Sequence, residues 1–251
     1  MSMQIHEGGG GLAERLPSAA ARGELRLEYQ PVVDLASNQT IGYEALLRWR
    51  LDGRDVPPKV FIPLAERLGA LGPIWDWILE RACSDRQQLS ACQVLFLNAS
   101  AMQIRPDFAD DLLARLKRLG ASAENFCIEI TESLPLIDRA NAAATFHKLR
   151  AKGLRIALDD FGTGFCGLEH LRDLPIDVVK IDGEFVHRAP HDERALAIIE
   201  AIAALGRKLS MQVLGEAVET QAQRVCLEKA GCALGQGYFF GAPSAIERWA
   251  A

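Results

Sequence analysis

Apolar residues along this chain gather in eight short runs, and most of the runs are continuous rather than alternating with polar residues. Continuous apolar runs of this length are typical of parallel strands that are buried on both faces of a sheet. Segments with a helical period separate the runs, so the pattern predicts alternating strands and helices. In chain order the runs read LRLEYQPVV, TIGYEALLRW, VLFLNAS, FCIEITES, RIALDD, VVKID, QVLGEA and GYFFG.

The clearest helical segment covers residues 192–206, where apolar positions recur every three or four residues. Asp192 is a suitable N-terminal cap for this helix, and Gly206 is a suitable residue for its end. Residues 108–120 follow the same scheme and end at Gly120. These signals predict where the two helices begin and end.

The first two runs depart from the alternation, because only the segment DLASNQT lies between them. A parallel pair needs about a dozen or more linking residues, so these two strands are predicted to form an antiparallel hairpin. The predicted fold is therefore α/β: a modified TIM-type (β/α)8 barrel with an antiparallel first strand, over residues 12–251 after a flexible leader at residues 1–11. A doubly wound open sheet is the alternative, but the chain lacks the glycine-rich dinucleotide fingerprint that would support it.

Composition narrows the class of protein. A length of 251 residues fits one barrel-sized domain. The net charge of −5 argues against binding to polymeric nucleic acid, which usually requires a basic face. The six cysteines form no CxxC pair and no zinc spacing, as expected for reduced thiols in the cytoplasm. We see no signal peptide and no apolar run near the roughly 20 residues that span a bilayer, so we expect a cytoplasmic protein without a membrane segment.

Polar residues cluster near the C-terminal ends of the predicted strands, the rim at which barrels of this type carry their active sites. For any single carboxylate, a helix cap, a turn or a core ion pair is the more frequent explanation. Carboxylates from several strands at one rim would repel one another unless something neutralises them. The residues in question are Glu44, Asn98, Glu129, Glu132, Asp159, Asp160, Lys180, Asp182, Glu216, Glu219 and Gln236.

The chemistry of this set favours a hard cation, because carboxylate and amide oxygens suit Mg²⁺ or Mn²⁺ rather than zinc or copper. The adjacent Asp159 and Asp160 are either turn formers or ligands, and with further oxygens they have the capacity for two ions. Two-metal sites are typical of phosphoester hydrolysis. Lys180 either orients the attacking water or only neutralises the carboxylates, and both roles stay open. Arg48 shares a strand face with Glu44. It either binds a phosphate of the ligand or forms a surface ion pair, and both roles stay open.

An ordered series of motifs then matches a known family. The motifs are YQP (29–31), EAL (44–46), FIPLAE (61–66), EITES (129–133), DDFGTG (159–164), KID (180–182), EAVET (216–220) and GQGYFFG (235–241). With these motifs the chain resembles the EAL-domain cyclic di-GMP phosphodiesterases over residues 12–248. The resemblance implies a barrel whose first strand is antiparallel, and hydrolysis of cyclic di-GMP to linear pGpG. It also implies a homodimer and a second bound ion, and it leaves room for a sensory or cyclase domain outside this chain. From the oxygen ligand set itself we expect Mg²⁺ or Mn²⁺ as cofactor and inhibition by Ca²⁺, which accepts looser geometry and more ligands.

The resemblance assigns a role to each matched position. The implied metal ligands are Glu44, Asn98, Glu129, Asp159, Asp160 and Glu216. Lys180 resembles the residue that positions or activates the water, with Glu216 and Gln236 beside it. Glu132 resembles the glutamate that anchors the loop after the fifth strand. The implied substrate contacts are Gln30, Arg48, Asp182 and Glu219.

Two motifs depart from the usual pattern of the family. DDFGTGFCGL stands in place of DDFGTGYSSL. GEAVET stands in place of AEGVET, so that Gly215 replaces the usual alanine and Ala217 replaces the usual glycine. Neither change removes an implied ligand. A catalytically silent receptor for cyclic di-GMP is the main alternative, but such members typically lose metal ligands. An interaction module attached to other domains is compatible with either function.

Overall fold

The strands of this chain join edge to edge into a closed ring. A computed structural model describes residues 9–131, 139–162 and 167–250 of the chain. The strands are β1 (Leu25–Asp34), β2 (Thr40–Leu51), β3 (Arg54–Val56), β4 (Val94–Asn98), β5 (Phe126–Thr131), β6 (Arg155–Phe161), β7 (Val178–Ile181), β8 (Gln212–Gly215) and β9 (Leu234–Gln236). The helices are α1 (Gly9–Arg15), α2 (Pro58–Arg67), α3 (Leu71–Arg86), α4 (Phe108–Arg118), α5 (Arg139–Arg150), α6 (Gly167–Asp173), α7 (Gly183–Arg188), α8 (Glu193–Leu209) and α9 (Gln221–Ala230).

Strand pairing confirms the predicted barrel. The sheet order is β1-β9-β8-β7-β6-β5-β4-β2-β3, and the pairing of β1 with β2 closes the ring. Strands β2 and β4 to β9 pair in parallel along the ring, whereas β1 is antiparallel to both of its neighbours. The short β3 pairs only with β2, as an addition that the sequence did not predict. Helix α1 begins at Gly9, inside the predicted leader, and residues 1–8 lie outside the described residues.

The β1–β2 hairpin forms as predicted, and its turn shows why. The Oδ1 atom of Asp34 accepts hydrogen bonds from the backbone N–H and the hydroxyl of Ser37, both at 2.7 Å. Asn38 has a φ of 58°, in the left-handed region that asparagine tolerates better than most residues. A short polar turn therefore returns the chain without a crossover helix.

The prediction of a last strand at GYFFG (237–241) is wrong. The strand is the preceding β9, so that Gln236 closes the strand instead of opening it. At Gly237, with a φ of 152°, an added Cβ would lie 2.2 Å from the backbone of Val218, and there the chain leaves the sheet. Tyr238 and Phe239 are 66% and 39% exposed, so this aromatic run lies at the rim rather than in a buried strand.

Helix α8 confirms its predicted start but not its predicted end. The Oδ1 atom of Asp192 accepts hydrogen bonds from the N–H groups of Arg194 and Ala195. The helix continues past Gly206 and ends at Leu209, and the following Ser210 has a φ of 60°. Gly206 allows close packing instead, since a Cβ there would lie 2.5 Å from the side chain of Val213 in β8.

The buried apolar residues form three clusters. The largest lies between the sheet and the helices around the ring, and a smaller one packs against the N-terminal segment. The third is an apolar lower layer that fills the centre of the barrel. The buried residues of the lower layer are Val32, Val94, Phe96, Cys127, Ala157, Val178, Leu214 and Leu234. This layer closes the barrel from below, so a ligand has access to the interior only from the opposite rim.

Candidate active site

The alternation of strand residues places the polar ring directly above the apolar layer. Side chains two positions apart on a strand point to the same face, so seven of the eight apolar residues of the lower layer have a polar residue above them, and the eighth, Val94, lies two positions before Phe96. The pairs are Phe96 with Asn98, Cys127 with Glu129, Ala157 with Asp159, Val178 with Lys180, Leu214 with Glu216, Leu234 with Gln236, and, on the antiparallel β1, Val32 with Gln30. The strand register thus gathers the residues that the sequence analysis singled out.

Lys180 lies at the centre of this ring and is 1% exposed. Its Nζ atom lies 2.8 Å from Glu216, 3.0 Å from Glu129, 3.0 Å from Asp159 and 3.6 Å from Glu44. These contacts are ion pairs by distance, but none has the alignment of a hydrogen bond. The ammonium group therefore serves as the counterion of three buried carboxylates and the half-buried Glu216 at once.

Glu44 is fixed by two side-chain amides. Its Oε1 accepts from Asn98 Nδ2 at 2.7 Å, and its Oε2 accepts from Gln236 Nε2 at 2.7 Å. Gln236 Nε2 also donates to Gln30 at 3.2 Å, so β9 and β1 both reach the same carboxylate cluster. Burial opposes the charge of Glu44, but Lys180 and the two amides hold the pKa of this carboxyl below its ordinary value.

The cluster contains more acidic groups than Lys180 neutralises. Burial raises the pKa of Glu129 well above its ordinary value, and the charge of Glu44 raises it further. Burial likewise raises the pKa of Glu216 to about 8. Although burial opposes its charge, the surrounding carboxylates raise the pKa of Lys180 well above the usual range. A bound cation would relieve this surplus of carboxyl groups.

The residues at the rim fit a metal ion. Asp159, Asp160 and Glu216 each offer a carboxylate oxygen within 4.8 Å of the others. Asp160 has a φ of 57°, a conformation uncommon for residues other than glycine, and its N–H donates to Asp159 Oδ1 at 3.0 Å. Neither carboxylate oxygen of the buried Glu129 accepts a hydrogen bond among the described residues. Such a set of oxygens matches the preference of a hard cation.

Two cavities open beside the cluster and share Glu44 and Arg48 in their walls. The first has a volume of about 440 Å³, and its lining includes Gln30, Glu219 and Tyr238. The second has a volume of about 350 Å³ and is mostly apolar; its lining includes Ile62, Ile74, Trp75, Ser100 and Glu66. Together they provide space for a ligand with an anionic centre and flat, less polar ends.

Among the described site residues, Asp182 is placed differently from its prediction. Asp182 does not lie in a strand: it caps α7, where its Oδ1 accepts from the Glu184 N–H at 2.8 Å. It is absent from the linings of the two cavities, whereas Glu219 borders the larger one and lies 4.0 Å from His187. Glu132 lies outside the described residues.

The EAL domain model matches residues 13–243. The chain belongs to the EAL domain family. The EAL domain is 36% identical over 243 residues to the bifunctional diguanylate cyclase/cyclic di-GMP phosphodiesterase MucR of Pseudomonas aeruginosa, covering 94% of this chain and 36% of that protein. It is also 36% identical to the oxygen sensor protein DosP of Escherichia coli, again over 94% of this chain but 30% of that protein.

Among solved structures, this EAL domain is similar to the MucR phosphodiesterase in complex with c-di-GMP. The TM-score is 0.88 at 35% identity, with 95% of this chain and 99% of that chain covered. The chain spans about a third of the length of the curated relatives it matches. Among the described helices, none combines the length and apolar character needed to cross a membrane.

The exchanged EAVET segment is accommodated by a glycine on the neighbouring helix. Ala217 has a φ of 51°, a conformation that costs a residue with a Cβ more than it costs glycine. Its methyl group lies where it would be 2.6 Å from a Cβ added to Gly183, the first residue of α7. Gly183 and Ala217 therefore fit as a pair, directly beside Glu216.

We expect Gly183→Ala to lower the free energy of unfolding by about 1–3 kcal/mol, because its Cβ would overlap the methyl group of Ala217. In an Ala217→Gly background the same change should cost much less, with a coupling of about 1 kcal/mol or more. Denaturant unfolding of the two single variants and the double variant measures this coupling. An equal cost of Gly183→Ala in both backgrounds would show that the two positions do not depend on each other.

Proposed function

We propose that this EAL domain is a metal-dependent phosphodiesterase that hydrolyses cyclic di-GMP to the linear dinucleotide pGpG. The observation that carries the proposal is the rim cluster, in which Asp159, Asp160 and Glu216 bring three carboxylates within 4.8 Å of one another. The relative MucR, named as a cyclic di-GMP phosphodiesterase, and its structure with c-di-GMP support the choice of substrate. The reaction adds one water across one P–O bond, giving a phosphate at one end and a hydroxyl at the other.

The proposed metal ligands are Glu44, Asn98, Glu129, Asp159, Asp160 and Glu216. Mg²⁺ or Mn²⁺ bound by these residues would supply a Lewis acid for a phosphoryl oxygen and would lower the pKa of the attacking water. The chain contributes the geometry: Asn98 and Gln236 fix the Glu44 carboxylate at 2.7 Å each, before any ligand arrives. A site arranged in advance loses little free energy when it orders around the transition state.

The remaining rim residues have roles in substrate binding and water orientation. Arg48 and Gln30 line the larger cavity, where a guanidinium and an amide suit the anionic phosphodiester of the substrate. Glu219 borders the same cavity, and Asp182 remains a predicted substrate contact. Lys180 is proposed to hold the attacking water as well as to neutralise the carboxylates. Glu132 is proposed to anchor the loop that follows β6.

The assembly around this domain is also a proposal. We infer a homodimer in the cytoplasm, and a sensory or cyclase domain elsewhere in the protein, on the family resemblance. The curated relatives are about three times as long as this chain, which supports the additional domain. The net charge of −5 supports a small nucleotide, rather than polymeric nucleic acid, as the partner.

We expect turnover of cyclic di-GMP to require Mg²⁺ or Mn²⁺ and to be lost on chelation, because in the described part of the chain Lys180 alone pairs with the carboxyls of the oxygen-rich cluster. Ca²⁺ should inhibit, since it accepts more ligands and looser geometry than a tight two-ion site provides. The measurement is the rate of pGpG formation with each cation and with excess chelator. Undiminished turnover in the chelator would refute the metal requirement.

A further inference from the structure

Two arginines face each other across the β1–β2 hairpin. Arg26 and Arg48 are direct partners in the antiparallel register, an arrangement that is unfavourable for like charges. Glu28 lies two residues from Arg26 on the same face. It accepts from Arg48 Nε at 2.7 Å, and from Arg26 Nε at 3.3 Å and Nη2 at 3.1 Å. One carboxylate therefore bridges both guanidinium groups.

This bridge is part of a longer ion-pair network on the hairpin. Arg26 makes a two-point contact with Asp55 in β3, at 2.9 Å and 3.1 Å. The side chains of Arg48 and Glu28 are only 21% and 23% exposed, so water screens this pair less than it screens a pair on the open surface. The network runs from β3 along β1 to Arg48, which lines both cavities beside the carboxylate cluster.

The contacts of Arg48 leave the Nη2 group of its guanidinium for a ligand. Nε donates to Glu28, and Nη1 donates to the Leu47 carbonyl at 3.3 Å. Nη2 makes no hydrogen bond to another residue in the described part of the chain. An arginine held at Nε and Nη1 keeps Nη2 in place to donate to an oxyanion, whereas an unrestrained one must first lose the rotamer entropy of its side chain.

We propose that Glu28 is a positioning residue, which holds Arg48 in place for the anionic phosphodiester of the substrate. The inference rests on the proposed function, and it adds a residue that lies outside the family motifs. Glu28 itself is absent from the linings of both cavities. Its removal would free the Arg48 side chain and leave the charges of Arg26 and Arg48 facing each other without a bridge.

The experiment compares Glu28→Ala, Glu28→Gln and Arg48→Ala with wild type. We expect Glu28→Ala to raise KM about tenfold with kcat nearly unchanged, in line with the coupling of residues in contact. Glu28→Gln should recover most of the loss, because the amide oxygen still accepts from Arg48 Nε. In an Arg48→Ala background, Glu28→Ala should have no further effect on KM.

A matched control separates this role from a loss of stability. Glu228→Ala removes the partner of another half-buried arginine, Arg224, at 3.2 Å on α9, away from both cavities. This variant should leave KM unchanged. It should lower the free energy of unfolding only slightly, as expected for the loss of an i,i+4 ion pair on a helix. Denaturant unfolding of all variants shows whether any change in KM follows a change in folding.

Three results would overturn the inference. An unchanged KM in Glu28→Ala contradicts it, and so does an equal rise in KM with and without Arg48. If wild type binds cyclic di-GMP without hydrolysing it, the proposed function is wrong but the inference about Glu28 still stands to be tested. The same variants are then compared by their calorimetric dissociation constants instead of KM. If wild type does not bind cyclic di-GMP, both the proposed function and this inference are wrong.

Discussion

Replacing Lys180 with methionine should lower the free energy of unfolding by about 3–5 kcal/mol in the absence of divalent cations. Its ammonium group is the counterion of Glu129, Asp159 and Glu216 at 2.8–3.0 Å, and methionine leaves these carboxylates buried without one. Mg²⁺ should restore much of this stability, because it replaces the missing positive charge. Denaturant unfolding with and without Mg²⁺ measures both effects.

The same variant decides between the two roles of Lys180. If Lys180 holds the attacking water, saturating Mg²⁺ restores folding but leaves kcat about 10²–10⁴-fold below wild type, the usual contribution of a group that assists proton transfer. We expect this result. Restoration of both stability and kcat by Mg²⁺ would show that the lysine only neutralises the cluster.

Glu44→Ala should reduce turnover by at least about 10³-fold, since each lost 1.4 kcal/mol of transition-state stabilisation costs a factor of ten and a bound cation supplies several. Asn98 and Gln236 would also lose the acceptor that each contacts at 2.7 Å. Binding of cyclic di-GMP should largely persist through Arg48 and Gln30. The measurements are kcat and the calorimetric dissociation constant.

A matched control for Glu44→Ala is Glu200→Ala, which removes an exposed carboxylate on α8 and should change neither quantity. Turnover of Glu44→Ala at the wild-type rate would contradict its assignment as a metal ligand. A loss of binding as large as the loss of turnover would instead indicate that Glu44 acts on the substrate directly.

The rim residues were predictable because two simple periodicities fix them. Parallel strands bring their C-terminal ends to one rim, and alternation along a strand places Glu129 and Asp159 above apolar residues on the interior face. The sequence therefore predicted the ring residues that lie on strands, whereas Asp182 caps α7 instead and Glu132 lies outside the described residues. It did not predict that Lys180 contacts four carboxylates at once, because the convergence of side chains across the barrel depends on strand register.

The features that sequence reasoning missed depend on contacts between distant segments. Gly206 resembles a helix end in the sequence, but its role is set by the approach of Val213. The aromatic run after Gln236 resembles a buried strand, yet the close approach of Gly237 to Val218 turns it outward. The sequence did not indicate a role for Glu28, because that role follows from the cross-strand pairing of Arg26 with Arg48. Its position two residues before Gln30, on the same face of β1, is the only signal in the sequence.

We propose that the rim cluster hydrolyses cyclic di-GMP rather than only binding it. Incubation of the purified chain with cyclic di-GMP and Mg²⁺, followed by separation of the nucleotides, distinguishes hydrolysis from binding. We expect conversion to linear pGpG at a rate that Glu44→Ala abolishes. If cyclic di-GMP binds to the folded wild-type protein but is recovered intact, with either Mg²⁺ or Mn²⁺ present, the domain is a receptor and not a phosphodiesterase.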